Sequence, residues 1–374
     1  MTDVPSTSSI GARVRAAREA KGCTQDELAA HLRLENRQSV SDIETGKRAI
    51  KPDELVILSD VLDRELDYFV EPFSVAGEAK FNWRVSPIVP GDALNNFEER
   101  SSKLVGLLRW LREQQDSSTS ALKKNLRLSL QSTFEAAQAR AEQLTVELEL
   151  GPEPRHTLLD KVERVLDIPV LMVDADVFAD GSISGAACHL DEMSCILINR
   201  RESEARRTYN LAHELFHALT WEAMEPDRRE SNTIEDRKSA GRKRVEQLAN
   251  NFAAALLMPR TSIRQLVNEG NRSDVAHLRE VASTLGVSYQ ALAWRLSNMN
   301  LIDDEAFDQL AHSHSLMVPF ATPKLYSPNF VRMLHEAIDK GRVSARKVAK
   351  TLRLDLEQLG NVFAEHEMTV PFEL

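Results

Sequence analysis

A mainly α chain with one small β-sheet (α+β) is the fold class that three observations predict. Apolar residues recur at helical spacing through most of the 374 residues. Three short runs rich in β-branched residues stand together between residues 168 and 199. Polar residues of metal-ligand type then interrupt two helical stripes that are otherwise apolar. The length suits two or three domains with cores of their own. With 42% hydrophobic and 28% charged residues, the composition is that of an ordinary globular chain rather than a disordered one. A formal charge of -10 argues against wholesale coating of nucleic acid but leaves room for a local basic face. No apolar run approaches the length of a membrane span, so no membrane contact is expected. The opening MTDVPSTSSI lacks a basic region followed by an apolar one, and Cys23, Cys188 and Cys195 fit no zinc-ribbon spacing. Both features lead to the expectation of a reducing, cytoplasmic location.

Residues 8–72 read as a compact all-helical domain. Ile10, Val14 and Ala17 mark the inner stripe of a first helix, which Gly22 ends. Thr24 to Glu27 have the form of a capping box for a second, with Leu28, Ala29 and Leu32 inward. Asn36 caps a third, in which Val40 and Ile43 point to the core, and Gly46 closes it. Pro52 opens a fourth that ends near Leu62. The order TQDELAAHL followed by QSVSDIETGKRAIKP resembles the Xre/Cro-like helix-turn-helix family. That resemblance implies that the helix from Arg37 to Glu44 lies in the major groove of a double-stranded DNA operator. Arg37, Gln38 and Ser41 then suit base edges, while Lys47, Arg48 and Lys51 suit phosphates. Acidic residues outnumber basic ones over residues 1–70, so the favourable field is local and one copy should bind modestly. Pairing of two copies on a symmetric site is the expected remedy.

Residues 73–154 read as a linker and helical spacer. Pro72, Gly77, Pro87, Pro90 and Gly91 break any long helix, and the aromatic FNWR (Phe81 to Arg84) should fold against a neighbour. A leucine stripe from Asn95 to Gln115 and a second apolar run from Ser120 to about Leu148 are separated by Ser117-Ser118-Thr119. They predict a helical hairpin between the domains, or else a homodimer-forming pair.

Residues 155–300 carry the chemistry. A helix over His156 to Leu166 precedes a buried strand at Ile168 to Val173. Asp180-Gly181 marks a turn before an antiparallel pair, Ile183 to His189 and Ser194 to Asn199. A helix from Glu204 to Trp221 contains LAHELFHAL. His213 and His217, four apart, project from one face so that both imidazoles can reach one ion. Glu214 beside them is placed to take a proton from water activated by that ion. Downstream, VEQLANNFAAALLMP is a second buried helix stopped by Pro259, with Glu246 and Asn250 one turn apart in its polar stripe. Glu246 reads as the third Zn2+ ligand and Asn250 as support behind the ligands.

Together AHELFHAL and the stretch from Glu246 to Pro259 resemble the ImmA/IrrE family of zinc metallopeptidases. The resemblance implies a zincin-like metallopeptidase domain with a small sheet, the strand end at Asn199, Arg206, and then the motif helix. It also places Ile183 to Cys188 beside the site as an edge strand, with Gly185 and Ala186 pinning an extended substrate through main-chain bonds. The family's usual glycine is replaced by Phe216, and its usual phenylalanine by Tyr209, one turn before His213. The polar stretch EPDRRESNTIEDRKSAGRKR, between Trp221 and Val245, reads as a loop able to cover the site.

Residues 301–374 form a C-terminal helical region whose Val343 to Leu352 and Leu356 to Phe363 repeat the style of the helices around Gly286. The sequence as a whole thus describes a DNA-binding transcriptional regulator joined to a zinc-dependent endopeptidase. Its protein substrate would be a repressor or antitoxin-like partner. One alternative is a transcription factor whose metallopeptidase-like domain senses a ligand or stress and hydrolyses nothing; another is an adaptor whose N-terminal domain only captures protein partners.

Overall fold

Residues 6–70 fold as five helices: α1 (Thr7–Lys21), α2 (Gln25–His31), α3 (Arg37–Glu44), α4 (Pro52–Leu62) and α5 (Leu66–Val70). Each boundary has a local cause. Gly22 turns left-handed to end α1, the Thr24/Glu27 capping box opens α2, and Asn36 accepts from Ser39 N to open α3. Val14, Leu28, Val40, Ile43, Leu58 and Phe69 are fully excluded from solvent in one cluster. Gly11 sits where α1 and α3 touch backbone to backbone; a β-carbon there would lie 2.2 Å from the carbonyl oxygen of Ile43. The computed structural model describes residues 6–115, 125–175, 177–178, 181–230, 240–313 and 321–373.

This domain is fastened to the segment between Glu71 and Arg109. The buried Arg13 guanidinium donates to the carbonyls of Phe69 (2.8 Å), Glu71 (2.8 Å) and Ser74 (2.5 Å). Ser9 donates to Glu78, which also pairs with Arg109 at 2.8 Å.

The remainder is built on one sheet. Its strands are β1 (Lys80–Val85), β2 (Val170–Val173), β3 (Val177–Phe178), β4 (Gly181–His189) and β5 (Ser194–Asn199). They run in the order β1-β4-β5-β2, with β3 on β4; β2 is parallel to β5 and the other pairs are antiparallel. Strand alternation divides the residues between two cores. Leu171, Cys195 and Leu197 face one, and Val170, Met172, Ile196 and Ile198 face the other.

The first core is closed by α6 (Gly91–Glu113) and, at the C-terminal end, by α15 (Pro328–Asp339), α16 (Ala345–Leu352) and α17 (Leu356–Glu365). The second holds α7 (Phe134–Glu147), α8 (Leu158–Arg164), α9 (Glu204–Thr220) and α10 (Ala240–Leu257). It continues through α11 (Arg260–Leu266), α12 (Val275–Leu285), α13 (Tyr289–Asn298) and α14 (Asp304–Ala311). No helix among the described residues is long and apolar enough to cross a membrane.

Two expectations are corrected. The predicted hairpin does not form, because α6 and α7 bury their stripes in different cores on opposite faces of the sheet. The second of these helices also starts at Phe134 rather than Ser120, and the described residues before it are not helical. Secondly, β4 is not an edge strand. Gly185 is opposite Arg84 on β1 and Ile198 on β5, and Ala186 is opposite Trp83 and Leu197. The FNWR segment supplies β1, which occupies the flank expected to stay open. The expected breaks at Ser117-Ser118-Thr119 and Asp180, and residues 231–239 of the charged stretch, lie outside the described residues.

Candidate metal centre

Helices α9 and α10 pack against one another and bring their polar stripes together in an apolar core. His213 and His217, one turn apart on α9, are fully buried, with their Nε2 atoms 3.1 Å apart. Glu246 reaches across from α10: its Oε2 is 3.2 Å from His213 Nε2 and 3.6 Å from His217 Nε2. One turn along α10, the Oδ1 of Asn250 accepts from His213 Nδ1 at 3.1 Å and from the Tyr209 hydroxyl, also at 3.1 Å. An amide oxygen can only accept, so this contact keeps the His213 proton on Nδ1 and turns the Nε2 lone pair toward the cluster. Tyr209 thus acts on Asn250, and through it on the imidazole.

The same place holds two groups that no sequence motif singles out. Glu230 is buried, with its Oε1 3.2 Å from His213 Nε2. Arg84 of β1 lies 3.8 Å from the other oxygen of Glu230 and has its guanidinium over the Tyr209 ring. Ligand atoms of His213, His217, Glu230 and Glu246 all lie within 4.8 Å of one another. Neither Glu230 nor Arg84 belongs to a recognisable spacing: one sits in a charged stretch and the other in a strand far away in sequence.

Electrostatics show what such a cluster needs. Burial pushes His213 down, as does the Arg84 cation, but the carboxylates of Glu230 and Glu246 outweigh both and raise it to about 9. Burial drives Glu246 up, yet the two imidazoles facing it hold it well below the usual carboxylate range. Burial also acts on Glu214, with Glu230 adding to it, and the Glu214 carboxyl is pushed up to about 7. Neither oxygen of Glu214, nor Nδ1 of His217, has a hydrogen-bond partner among the described residues. Orphaned polar atoms in a core are costly, and a water held by an ion among the facing Nε2 atoms is the kind of group that satisfies the Glu214 carboxyl.

The donor set fits zinc. For nitrogen and oxygen ligands at about 2.0–2.1 Å, the edge of a coordination tetrahedron is about 3.3–3.4 Å. The measured separations of 3.1, 3.2 and 3.6 Å among His213, His217 and Glu246 straddle that edge.

The other predicted residues lie apart from this centre. Gly185 and Ala186 are inside the sheet, as described. On α3, Arg37 and Gln38 are exposed and Ser41 is half-buried; the Gln38 amide donates to Asp42 at 2.9 Å. Lys47 is exposed. Arg48, expected at a phosphate, instead donates to both oxygens of the buried Glu54, at 3.0 and 2.5 Å. Its charge is already used inside the domain, whereas Lys47 and Lys51 remain exposed cations beyond the end of α3. His189 stacks on Trp221 and meets Ser194.

Comparison with known proteins agrees with both regions. Residues 170–297 match the family model of the IrrE N-terminal-like domain, peptidase family M78. Residues 14–69 match that of a helix-turn-helix. No curated protein matches the chain. Among solved structures, the apo form of the competence regulator ComR from Streptococcus vestibularis is 12% identical, over 81% of this chain and 89% of that one, with a TM-score of 0.16. Apo ComR from S. thermophilus is 11% identical over 96% of each chain, with a TM-score of 0.17. At such TM-scores the likeness carries no weight for this chain. The two family matches do, and they agree with the geometry: the chain carries a helix-turn-helix region of Xre-like type and, beyond it, a region similar to the IrrE-like domain of peptidase family M78.

Proposed function

We propose that this DNA-binding regulator is also a zinc-dependent endopeptidase that cleaves a partner protein of repressor or antitoxin type. One observation carries the reading: His213, His217 and Glu246 converge beside a buried Glu214 that has no partner among the described residues. A zinc ion held by those three donors supplies a Lewis acid and brings the pKa of water toward neutrality. The protein's own groups do the rest. Asn250 fixes the His213 ring so that Nε2 faces Glu246 and His217, the donors that would hold the ion with it. Glu214, with a carboxyl near neutrality, takes a proton from the attacking water and returns it to the leaving amine as the peptide C–N bond breaks. The apolar walls of α9 and α10 exclude bulk water, which strengthens each electrostatic contact inside.

The test is Glu214→Gln in the zinc-loaded protein, assayed on purified repressor-like and antitoxin-like proteins encoded beside the gene. The variant should bind one zinc and keep the wild-type fold while cleaving nothing. Equal cleavage by wild type and variant would remove Glu214 from the reaction. Absence of cleavage by a zinc-holding wild type and by a zinc-holding Glu230→Ala protein alike would leave the second reading, a metal-bearing sensor, which the extra carboxylate of Glu230 favours.

A further inference from the structure

Residues 225–230 run along the outer edge of β1, where main-chain and side-chain contacts stitch them down. Trp83 N donates to Arg228 O at 2.8 Å, and Glu230 N donates to Trp83 O at 3.0 Å, a parallel bridge around Arg229. The Asn82 amide donates to Asp227 O at 2.6 Å. Arg228 pairs with Glu98 at 2.9 Å, Lys80 pairs with Glu225 at 2.6 Å, and the Arg229 guanidinium donates to Val89 O at 2.5 Å. The last residue of this strap turns inward. Glu230 N is held by β1 while its carboxylate reaches His213, with Arg84 behind its second oxygen.

Zinc sites divide by coordination: structural ones are closed by four protein ligands, and catalytic ones keep the fourth position for water. Glu230 Oε1 is 3.2 Å from His213 Nε2, the same separation as Glu246 Oε2 has. The Glu230 oxygen is thus one tetrahedral edge from His213 and lies within 4.8 Å of the ligand atoms of His217 and Glu246. The strap also covers the outer edge of β1, the flank on which an extended peptide would add as a further strand beside the site.

We propose that Glu230 is a fourth protein ligand to the zinc, and that the strap ending in it holds the peptidase latent by occupying both the water position and the adjoining strand edge. The proposal rests on the zinc reading above. Activation is then withdrawal of residues 225–230 from β1, which frees the coordination position and the edge in one movement. Arg84 keeps the buried centre from excess negative charge while Glu230 is in place, and it becomes available to a substrate carbonyl or carboxylate once Glu230 leaves.

The experiment uses the full-length protein, stripped of metal and loaded with Co2+ as a coloured substitute for zinc, with azide as the probe of an exchangeable position. Wild type should bind one equivalent and give a visible spectrum that azide does not alter. Glu230→Ala should still bind one equivalent, with affinity at least about 10-fold lower in competition with a chromophoric chelator, and its spectrum should shift on adding azide. An Arg228→Ala/Arg229→Ala variant touches no ligand and removes the side-chain part of the stitching, the pair with Glu98 and the contact with Val89, leaving the main-chain bonds to Trp83. It should keep its metal equivalents, become azide-sensitive, and cleave a partner protein faster than wild type. An azide-sensitive wild type, or a Glu230→Ala protein with wild-type affinity and spectrum, overturns the proposal and leaves the zinc reading standing. A wild type that takes up neither zinc nor cobalt overturns both, and is told apart by its stoichiometry alone.

Discussion

The helix-turn-helix domain and the metal centre present polar residues in opposite ways. On α3, Arg37 and Gln38 stand in solvent, while Val40 and Ile43 on the other face hold the helix to its neighbours. The solvent-facing polar residues and the packing residues lie on separate faces. In the candidate metal centre the polar groups are themselves interior: His213, His217, Glu214 and Glu230 are buried, and imidazoles, carboxylates and Arg84 offset one another there. One region can lose an exposed α3 side chain and keep its fold. The other cannot lose one of these side chains without leaving a charge uncompensated in a core.

The contrast is sharpest at Glu246. Glu246→Ala should lower zinc affinity by at least about 100-fold, since it removes a donor outright where even supporting residues are worth about 10–100-fold. Binding to an operator fragment should be unchanged. Chelator competition and a gel-shift titration on the same preparation check the pair of outcomes, and coupled losses would break the separation.

Arg48 tests the comparison from within the helix-turn-helix domain, because there too one cation is an interior partner. Arg48→Ala strands the buried Glu54 carboxylate and should cost about 1–3 kcal/mol in urea unfolding. Pairing with Arg48 outweighs burial and holds the Glu54 carboxyl below its usual 4.5. A depressed folded pKa contributes stability that is present above about pH 4.5 and is lost as pH falls through the folded value. The gap between wild type and variant should therefore be full at pH 7 and narrow as pH falls below about 4.5. A gap independent of pH would assign the loss to packing of the Arg48 stem instead.

The smallest stability effect is expected at the exposed face. Arg37→Ala and Gln38→Ala should change unfolding free energy by no more than about 0.5 kcal/mol. Operator affinity at fixed salt should nonetheless fall by about 1–3 kcal/mol for each base contact removed. Unchanged affinity in both variants would make α3 a scaffold rather than a reader.

Much of this was legible in the residues because the relevant signals are local. Caps and helical stripes gave α1 to α4 closely, and the i, i+4 pairs His213/His217 and Glu246/Asn250 could be recognised as polar interruptions of apolar helices. What escaped is non-local. The leucines of α6 state that the helix is buried but not against what, so a hairpin with α7 looked natural. The partnership of β1 with β4 joins segments about a hundred residues apart, and nothing in FNWR announces that it will take the flank beside Gly185. Glu230 is harder still, since a glutamate among Asp227, Arg228 and Arg229 reads as solvated until the main chain is seen pinned to Trp83.

The Arg13 clamp has a practical consequence for dividing the chain. A fragment ending at Val70 would keep all five helices yet lose the carbonyls of Glu71 and Ser74, stripping the buried guanidinium of two of its three acceptors. Gly77, left-handed at φ 78° and packed on the backbone of Ala12, lies just beyond. An excised DNA-binding piece should therefore run past Glu78 if it is to stand alone, and shorter pieces should melt earlier for want of a few main-chain oxygens.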